Sequence, residues 1–291
     1  MAISTFIPAL WSARLLAHLD KNLVLGNLVN RDYEGEIKNL GDRVKINQIA
    51  DVTIKDYKKG TDLVYDDTDG TPTELVIDQQ KYFALKVNDV DAAQANIDLM
   101  DRSLERASYA LRDVIDQRVA GHAKKAGSIL TLKDMEAPEQ AYETIVKMGT
   151  KLDENNVPRI GRWLVIPPWL YGLLQKDQRF VGTGSAAAES RLTTGNVGSA
   201  AGFQIYESNN LAYEKSTDTT SVMAGTNAAI SMATQIIKTE SLRLEKDFSD
   251  AVRGLLVYGS LVVQPKALVT LNTNPKAETV TPDHGQGIVP G

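Results

Sequence analysis

No cysteine occurs in the 291 residues, which removes disulfides, thiolate metal sites and cysteine nucleophiles together. Histidine is nearly as scarce. His18, His122 and His284 lie far apart without any paired-histidine motif, so each reads as an ordinary surface or helix residue and not as a ligand or base. Excess positive charge is missing as well. The formal net charge of -5 gives no generic pull toward nucleic acid or an anionic membrane. The most apolar stretch, Gly254 to Val263, is too short to cross a bilayer and contains Gly259 and Ser260, and no basic n-region precedes an apolar core at the N-terminus. These absences predict a soluble protein made in a cytoplasm.

Catalytic signatures are absent too. No Gly-x-x-x-x-Gly-Lys-Ser/Thr loop, Gly-x-Ser-x-Gly elbow or His-Glu-x-x-His helix is present. Gly182, Gly184, Gly195, Gly198 and Gly202 lack the lysine and the strand-turn-helix setting of a phosphate cradle, which leaves a flexible loop. Tyr65 to Gly70 brushes against a calcium loop. It fails because Tyr65 takes the first ligand position and Val76 the place of the closing glutamate. The sequence therefore predicts no metal, no cofactor and no enzyme.

What the chain does have is one long helical pattern, from about Ala92 to Ala126. Ile97, Met100, Leu104, Ala107, Leu111 and Val114 recur at steps of three and four and then slide to Ile115, Val119 and Ala123, an apolar stripe along one face. Asp98, Asp101, Arg102, Glu105, Arg106, Arg112, Asp113 and Asp116 fall on the other side, with Asp98–Arg102 and Arg112–Asp116 spaced for i,i+4 ion pairs. Asn88, Asp89 and Asp91 suit the start and Gly127 the stop. At 1.5 Å per residue the helix would be about 50 Å long, the spine of the molecule.

Before the spine come two segments that need cover. An apolar arm holds Phe6, Ile7, Pro8 and Trp11 and an amphipathic turn with Leu15, Leu16, Leu19 and Leu23 on one face. From Arg43 the period becomes two, with Val44 and Ile46 on an outgoing limb and Leu75, Ile77, Phe83, Leu85 and Val87 on a return limb from about Thr73. The tip between them carries Lys55, Lys58 and Lys59 among Asp62, Asp66, Asp67 and Asp69, a basic cluster of the kind that is ordinarily just solvated and whose functional reading is a docking surface for acidic residues of a neighbour. An isolated two-stranded hairpin is marginal in water, so arm and hairpin imply shelter from another subunit.

After the spine, Pro138 opens a helix whose buried face is Ala141, Ile145, Met148 and Leu152, and Trp163 to Ile166 reads as a buried strand stopped by Pro167 and Pro168. Trp169 to Leu174 gives helical turns. Arg179 to Gly202, poor in large apolar residues, is expected to be a functional or mobile loop. Phe203 to Tyr206 and Ser221 to Ala224 are short strands, and strands resume from about Gln235 with a charged bend at Glu245 to Asp250. Leu255 to Leu271 reads as one strand covered on both faces. Pro275 to Gly291 reads as a flexible tail.

This order of elements resembles a known family. Phe6-Ile7-Pro8-Ala9-Leu10-Trp11-Ser12-Ala13-Arg14 and Asn27-Leu28-Val29-Asn30-Arg31-Asp32-Tyr33-Glu34-Gly35-Glu36-Ile37 resemble the amino-terminal arm of tailed-bacteriophage major capsid proteins. Gly41-Asp42-Arg43-Val44-Lys45-Ile46, Asp91-Ala92-Ala93-Gln94-Ala95-Asn96 and Gly161-Arg162-Trp163-Leu164-Val165-Ile166-Pro167-Pro168-Trp169 extend the likeness to about Asn272. It implies an α+β chain with the Hong Kong 97-like capsid fold. The implied parts are an N-terminal arm (1–42), an extended hairpin loop (43–87), the spine helix of a peripheral domain (88–136), an inserted axial domain (137–235), returning peripheral strands (236–273) and a C-terminal tail (274–291).

The resemblance also implies a function: self-assembly through hexamers and pentamers into an icosahedral virion shell around double-stranded DNA, without sequence-specific binding or a membrane. Assembly would take place in the host cytoplasm, with a portal and a separate scaffolding protein, because the arm begins almost at Met1. Phe6, Trp11, Lys55, Tyr57, Lys58, Lys59, Asp62, Asp66, Asp67 and Asp69 are the candidate intersubunit contacts. Some relatives join subunits by a lysine–asparagine isopeptide bond, for which Lys55, Lys58 or Lys59 with Asn272 or Asn274 are the positions here, although no assisting glutamate is recognisable. Two other readings stand beside this one, a cellular nanocompartment shell of the same fold and a soluble enzyme using dispersed carboxylates such as Asp247 and Asp250.

Overall fold

The structure, a computed structural model, describes residues 23–34, 40–46, 54–56, 60, 62, 73–88, 98–177, 179, 198–243 and 249–276. In chain order the elements are a single helical turn α1 (Leu25–Leu28), strands β1 (Arg43–Ile46), β2 (Thr73–Val76) and β3 (Gln79–Asn88), and the long helix α2 (Asp98–Ala120). A 3-10 turn, Gly121–Lys125, continues α2 and leads to β4 (Ser128–Met135), α3 (Pro138–Glu154), β5 (Trp163–Ile166) and α4 (Pro168–Lys176). Strands β6 (Ser199–Ala200), β7 (Phe203–Glu207), β8 (Tyr213–Glu214), β9 (Thr219–Gly225), β10 (Ile230–Arg243), β11 (Ser249–Val262) and β12 (Leu268–Pro275) complete it.

The strands form three sheets. β1 and β2 pair with each other, β10, β11 and β3 make an antiparallel three-stranded sheet, and a seven-stranded sheet runs β4-β12-β9-β5-β7-β6 with β8 on β9. Alternate burial decides how they stack. In β5 all four residues are buried because both faces are covered: Leu164 and Ile166 meet Ile145, Met148 and Leu152 of α3, while Trp163 and Val165 join Ile115 and Val119 of α2. The helix face expected from Ala141, Ile145, Met148 and Leu152 is the buried face of α3. Its start is held by the Gln140 side chain, which accepts from the Ala137 backbone N–H at 3.3 Å.

The three-stranded sheet divides its residues by the same period of two. Met232, Leu256 and Tyr258 face α2, whereas Ala233 and Val257 face Val44, Ile46, Leu75 and Ile77 of the β1–β2 pair. The spine and the root of the hairpin thus grip the same sheet from opposite sides.

Four expectations change. The return limb is not one strand: it breaks after Val76, so that β2 stays with β1 while β3 crosses to β11. Leu255 to Leu271 is likewise two strands in different sheets, because Pro265 has no N–H for a ladder and opens the 3-10 turn Pro265–Ala267. Gly127 meets that turn, donating to the Pro265 carbonyl at 2.7 Å. A β-carbon on Gly127 would lie 2.6 Å from the same oxygen. Directly after it comes β4, which the sequence reading missed. It pairs in parallel with β12, so the seven-stranded sheet includes chain on both sides of residues 137–235. The charged bend expected at Glu245 to Asp250 is cut short at its end, since Ser249 and Asp250 already belong to β11, and residues 244–248 lie outside the described residues.

Within the spine, Ala107, Leu111, Ile115, Val119 and Ala123 are buried as the stripe predicts, and regular helix ends at Ala120. Residues 92–97 and the side chains of Asp98, Met100, Asp101, Arg102, Leu104 and Glu105 lie outside the described residues, as do most of the Gly-rich segment, 180–197, and the tail from 277.

Candidate assembly surfaces

The root of the arm is fastened to the chain's own body. Leu23, Leu25 and Val29 are buried in the cluster that contains Ile115 and Met232. Just there the Asp116 carboxylate, wholly buried, accepts the backbone N–H of Gly26 at 3.0 Å and of Val24 at 3.2 Å. Burial pushes its pKa up, and the two amides together with nearby Arg112 pull it back in part. Farther along, Asn30 bridges to the edge of β10: its N–H donates to the Ile230 carbonyl at 2.9 Å and its carbonyl accepts from Met232 at 2.8 Å. The Thr234 hydroxyl donates to Glu34 at 2.8 Å.

Asp116 was expected on the solvated face, in an ion pair with Arg112. Instead Arg112 donates to Asp113 and lies over the Tyr109 ring, 3.9 Å from its centre. The reason is that the first amides of α1 have no helical acceptor, and a buried N–H without a partner is costly. Asp116 supplies that acceptor.

The root of the hairpin is fixed as firmly. Gly41 donates to the Ile77 carbonyl at 2.9 Å and Ile77 to the Asp42 carbonyl at 3.1 Å, closing the pair at its base. Here β2 rides directly over β11, where a β-carbon on Gly259 would stand 2.3 Å from the Val76 oxygen. At the break between β2 and β3, Asp78 takes a 2.6 Å ion pair from Arg118 of α2. One helical turn on, His122 is 5% exposed with Nε2 2.8 Å from the Ser260 hydroxyl. Burial first, then the cations of Lys125 and Arg118, lower its pKa to about 4. His122 is therefore neither a surface residue nor an ordinary helix residue; it is a neutral core group at the junction of spine and hairpin.

These contacts correct the premise that arm and hairpin lack shelter within one copy. Leu23, Leu25 and Val29 of the arm, and Val44, Ile46, Leu75 and Ile77 at the hairpin root, are covered by the chain's own core. Beyond the hairpin root the picture reverses: Ile54 is 96% exposed, and Lys55, Asp56, Gly60 and Asp62 are exposed too. Of the candidate contacts, Lys55 and Asp62 are on this exposed limb. Phe6, Trp11, Tyr57, Lys58, Lys59, Asp66, Asp67 and Asp69 lie outside the described residues, as do the Tyr65–Gly70 turn, His18, His284 and Asp247.

Of the isopeptide positions, Lys58 and Lys59 lie outside the described residues, and both asparagines are engaged in hydrogen bonds. The Asn272 side-chain oxygen accepts from Ser221 at 2.8 Å, and that of Asn274 accepts the Asp134 N–H at 2.8 Å. Among the described residues no cluster of histidine or carboxylate side chains is arranged to hold a metal ion, and no described helix is long and apolar enough to cross a membrane. Sequence spacing assigns Asp116 a surface ion pair and His122 an ordinary place, and it assigns no structural role to Ser260, Gly259 or the Asp78–Arg118 pair.

Comparison with known proteins places this architecture. A model of the phage capsid protein family matches residues 72–271, from the return limb through the first half of β12. No curated protein matches the chain. Among solved structures, a chain from Mycobacterium phage Che8 is 30% identical and superposes with a TM-score of 0.71 over 86% of this chain and 90% of that one. The capsid of the cyanophage P-SCSP1u shares the fold at 17% identity, TM-score 0.67, with 85% and 86% of the two chains covered. A virus-like particle from Pyrococcus furiosus shares it at 15% identity and 0.56, with 91% and 98% covered. With a family model spanning residues 72–271 and a 30%-identical phage chain covered nearly end to end, the chain belongs to the phage capsid protein family.

Proposed function

We propose that this major capsid protein closes into an icosahedral shell of hexamers and pentamers around double-stranded DNA, with the hairpin beyond its root lying on a neighbouring copy. The observation that carries this reading is the contrast along the hairpin, whose base is locked to β11 while Ile54 to Asp62 stand exposed wherever they are described. In this arrangement residues 137–235 surround the capsomer axis, and the spine with the three-stranded sheet forms the periphery. The lysines and aspartates of the tip make the intersubunit contacts together with Phe6 and Trp11 of the arm. Standard interfaces bury roughly 1,600 Å² in total. Repeated around a closed shell, modest contacts of that size give high collective stability.

The protein acts mechanically, without catalysis. Its net charge of -5 fits a container from which DNA must be released, because a strongly basic lining would hold it. Assembly takes place in the host cytoplasm with a portal and a scaffolding protein as separate partners. A cellular nanocompartment of the same fold is the weaker reading, since both the matched family and the 30%-identical relative are of phages. Electron microscopy of the purified chain tests the proposal: rings or closed cages support it, and a discrete small particle at every concentration rejects it. Nuclease-protected double-stranded DNA inside shells from infected cells separates a virion from a nanocompartment.

A further inference from the structure

β4 is the end strand of the seven-stranded sheet. It pairs with β12 on one side and, among the described residues, with nothing on the other. An open edge of this length is a template for another strand, and it invites aggregation unless it is covered or blunted. The side chains show the same opening. Leu130 and Leu132 are only half-buried at the rim of the cluster that holds Ala141 and Ile145, while Ile129 on the other face is 49% exposed.

The chain leaves β12 at one end of this same edge. Pro275 pairs with Met135, the Lys276 N–H donates to the Met135 carbonyl at 3.1 Å, and the Lys276 ammonium reaches Glu136 at 2.6 Å. The last described residue is thus tied to the residues that finish β4. Ala277-Glu278-Thr279-Val280-Thr281-Pro282 follow it, and the β-branched run Thr279 to Thr281 favours a strand. Crossing the end of β4 to its open side spans two strand spacings, roughly 10 Å, which three extended residues cover. That crossing uses residues 277–279 and brings Val280 alongside the edge.

We propose that residues 279–283 fold back antiparallel along the open edge of β4 in the same copy. In that register Val280 falls beside Leu132 and Pro282 beside Leu130, so the two apolar side chains of the tail cover the two half-buried leucines. Pro282 turns its missing N–H to solvent, a place where an outermost strand tolerates proline, and it blunts the new edge against further pairing. A segment tethered at Lys276 meets the edge at an effective concentration on the order of millimolar, which favours the chain's own tail over that of a second copy. The tail then guards a sheet edge through which copies would otherwise join strand to strand. This seat does not depend on the shell reading.

Hydrogen exchange of the unassembled subunit tests it, comparing the full chain with one that stops at Lys276. The amides of residues 128–133 should exchange roughly tenfold faster or more in the shortened chain, at a ratio independent of protein concentration, while those of α3 stay unchanged. Equal rates in the two chains overturn the proposal. Protection that fades on dilution assigns the strand to a second copy and overturns it as well. The shortened chain should also associate, seen by light scattering; one that exchanges faster yet stays as monodisperse as the full chain overturns the guarding role. Should the shortened chain fail to fold, Val280→Asp decides at full length: it sets a charge beside Leu132 and should quicken the same amides, and unchanged rates overturn the seat.

Discussion

Replacing His122 with glutamine should remove a defined part of the protein's acid sensitivity. In the unfolded chain histidine titrates near 6.5, and in the fold the ring is held neutral down to about 4. The unfolded state therefore binds the proton first as pH falls. The stabilisation is complete above pH 6.5 and lost progressively between 6.5 and about 4. That gap corresponds to about 3 kcal/mol. Its causes are visible: the ring is sealed behind Ser260, with Lys125 and Arg118 repelling a third cation and Asp78 compensating only in part. For a chain of this size each kcal/mol moves the melting temperature by roughly 2–3 °C. The unassembled wild-type subunit should thus lose roughly 6–9 °C more than His122→Gln between pH 7 and pH 4. The assay is thermal unfolding of both proteins at matched pH values, so that other carboxylates cancel in the difference. Melting curves that stay parallel from pH 7 to pH 4 would refute the reasoning.

Asp116→Ala should leave the Val24 and Gly26 amides without an acceptor and cost about 2–4 kcal/mol, relief of carboxylate desolvation offsetting part of the loss. Hydrogen exchange should quicken at those two amides, and unchanged protection would count against the arm anchor. Gly259→Ala places a methyl 2.3 Å from the Val76 oxygen and should cost about 1–3 kcal/mol by prising β2 from β11, read as a lower denaturant midpoint. Leu111→Asp buries a charge in the main cluster and should cost more than about 3 kcal/mol, leaving insoluble protein; a soluble variant that assembles normally would show the spine to be turned the other way.

Elements with a single strong period were legible in the sequence. The buried face of α3 and the four-residue β5 stand where spacing and proline placed them, since local pattern and tertiary packing agree there. The breaks at Ile77–Asp78 and Pro265 were harder. Periodicity continues across both, and only the sheet each half joins separates them. β4 was missed because only Leu130 and Leu132 mark its half-buried face while Ile129 is exposed on the other, and it follows directly on Gly127 with no polar loop to announce a new element.

The buried polar groups failed for another reason. Asp116 and His122 answer to backbone amides and a hydroxyl far away in the chain, at sequence separations of 90 and 138, which no local pattern encodes. The shelter argument was half legible for the same cause. The apolar arm and hairpin do demand cover, but for Leu23, Leu25, Val44 and Leu75 the cover comes from the chain's own core.

The central claim is that the subunit folds by itself up to the hairpin root and spends the rest of the hairpin on its neighbours. Cryo-electron microscopy of the full chain beside a variant lacking residues 58–72, with melting curves of both subunits, tests it most directly. The account predicts closed shells from the full chain, and from the variant a subunit of unchanged melting temperature that fails to close or closes into fragile shells. A variant that unfolds, or one whose shells match the full chain in form and stability, would contradict it.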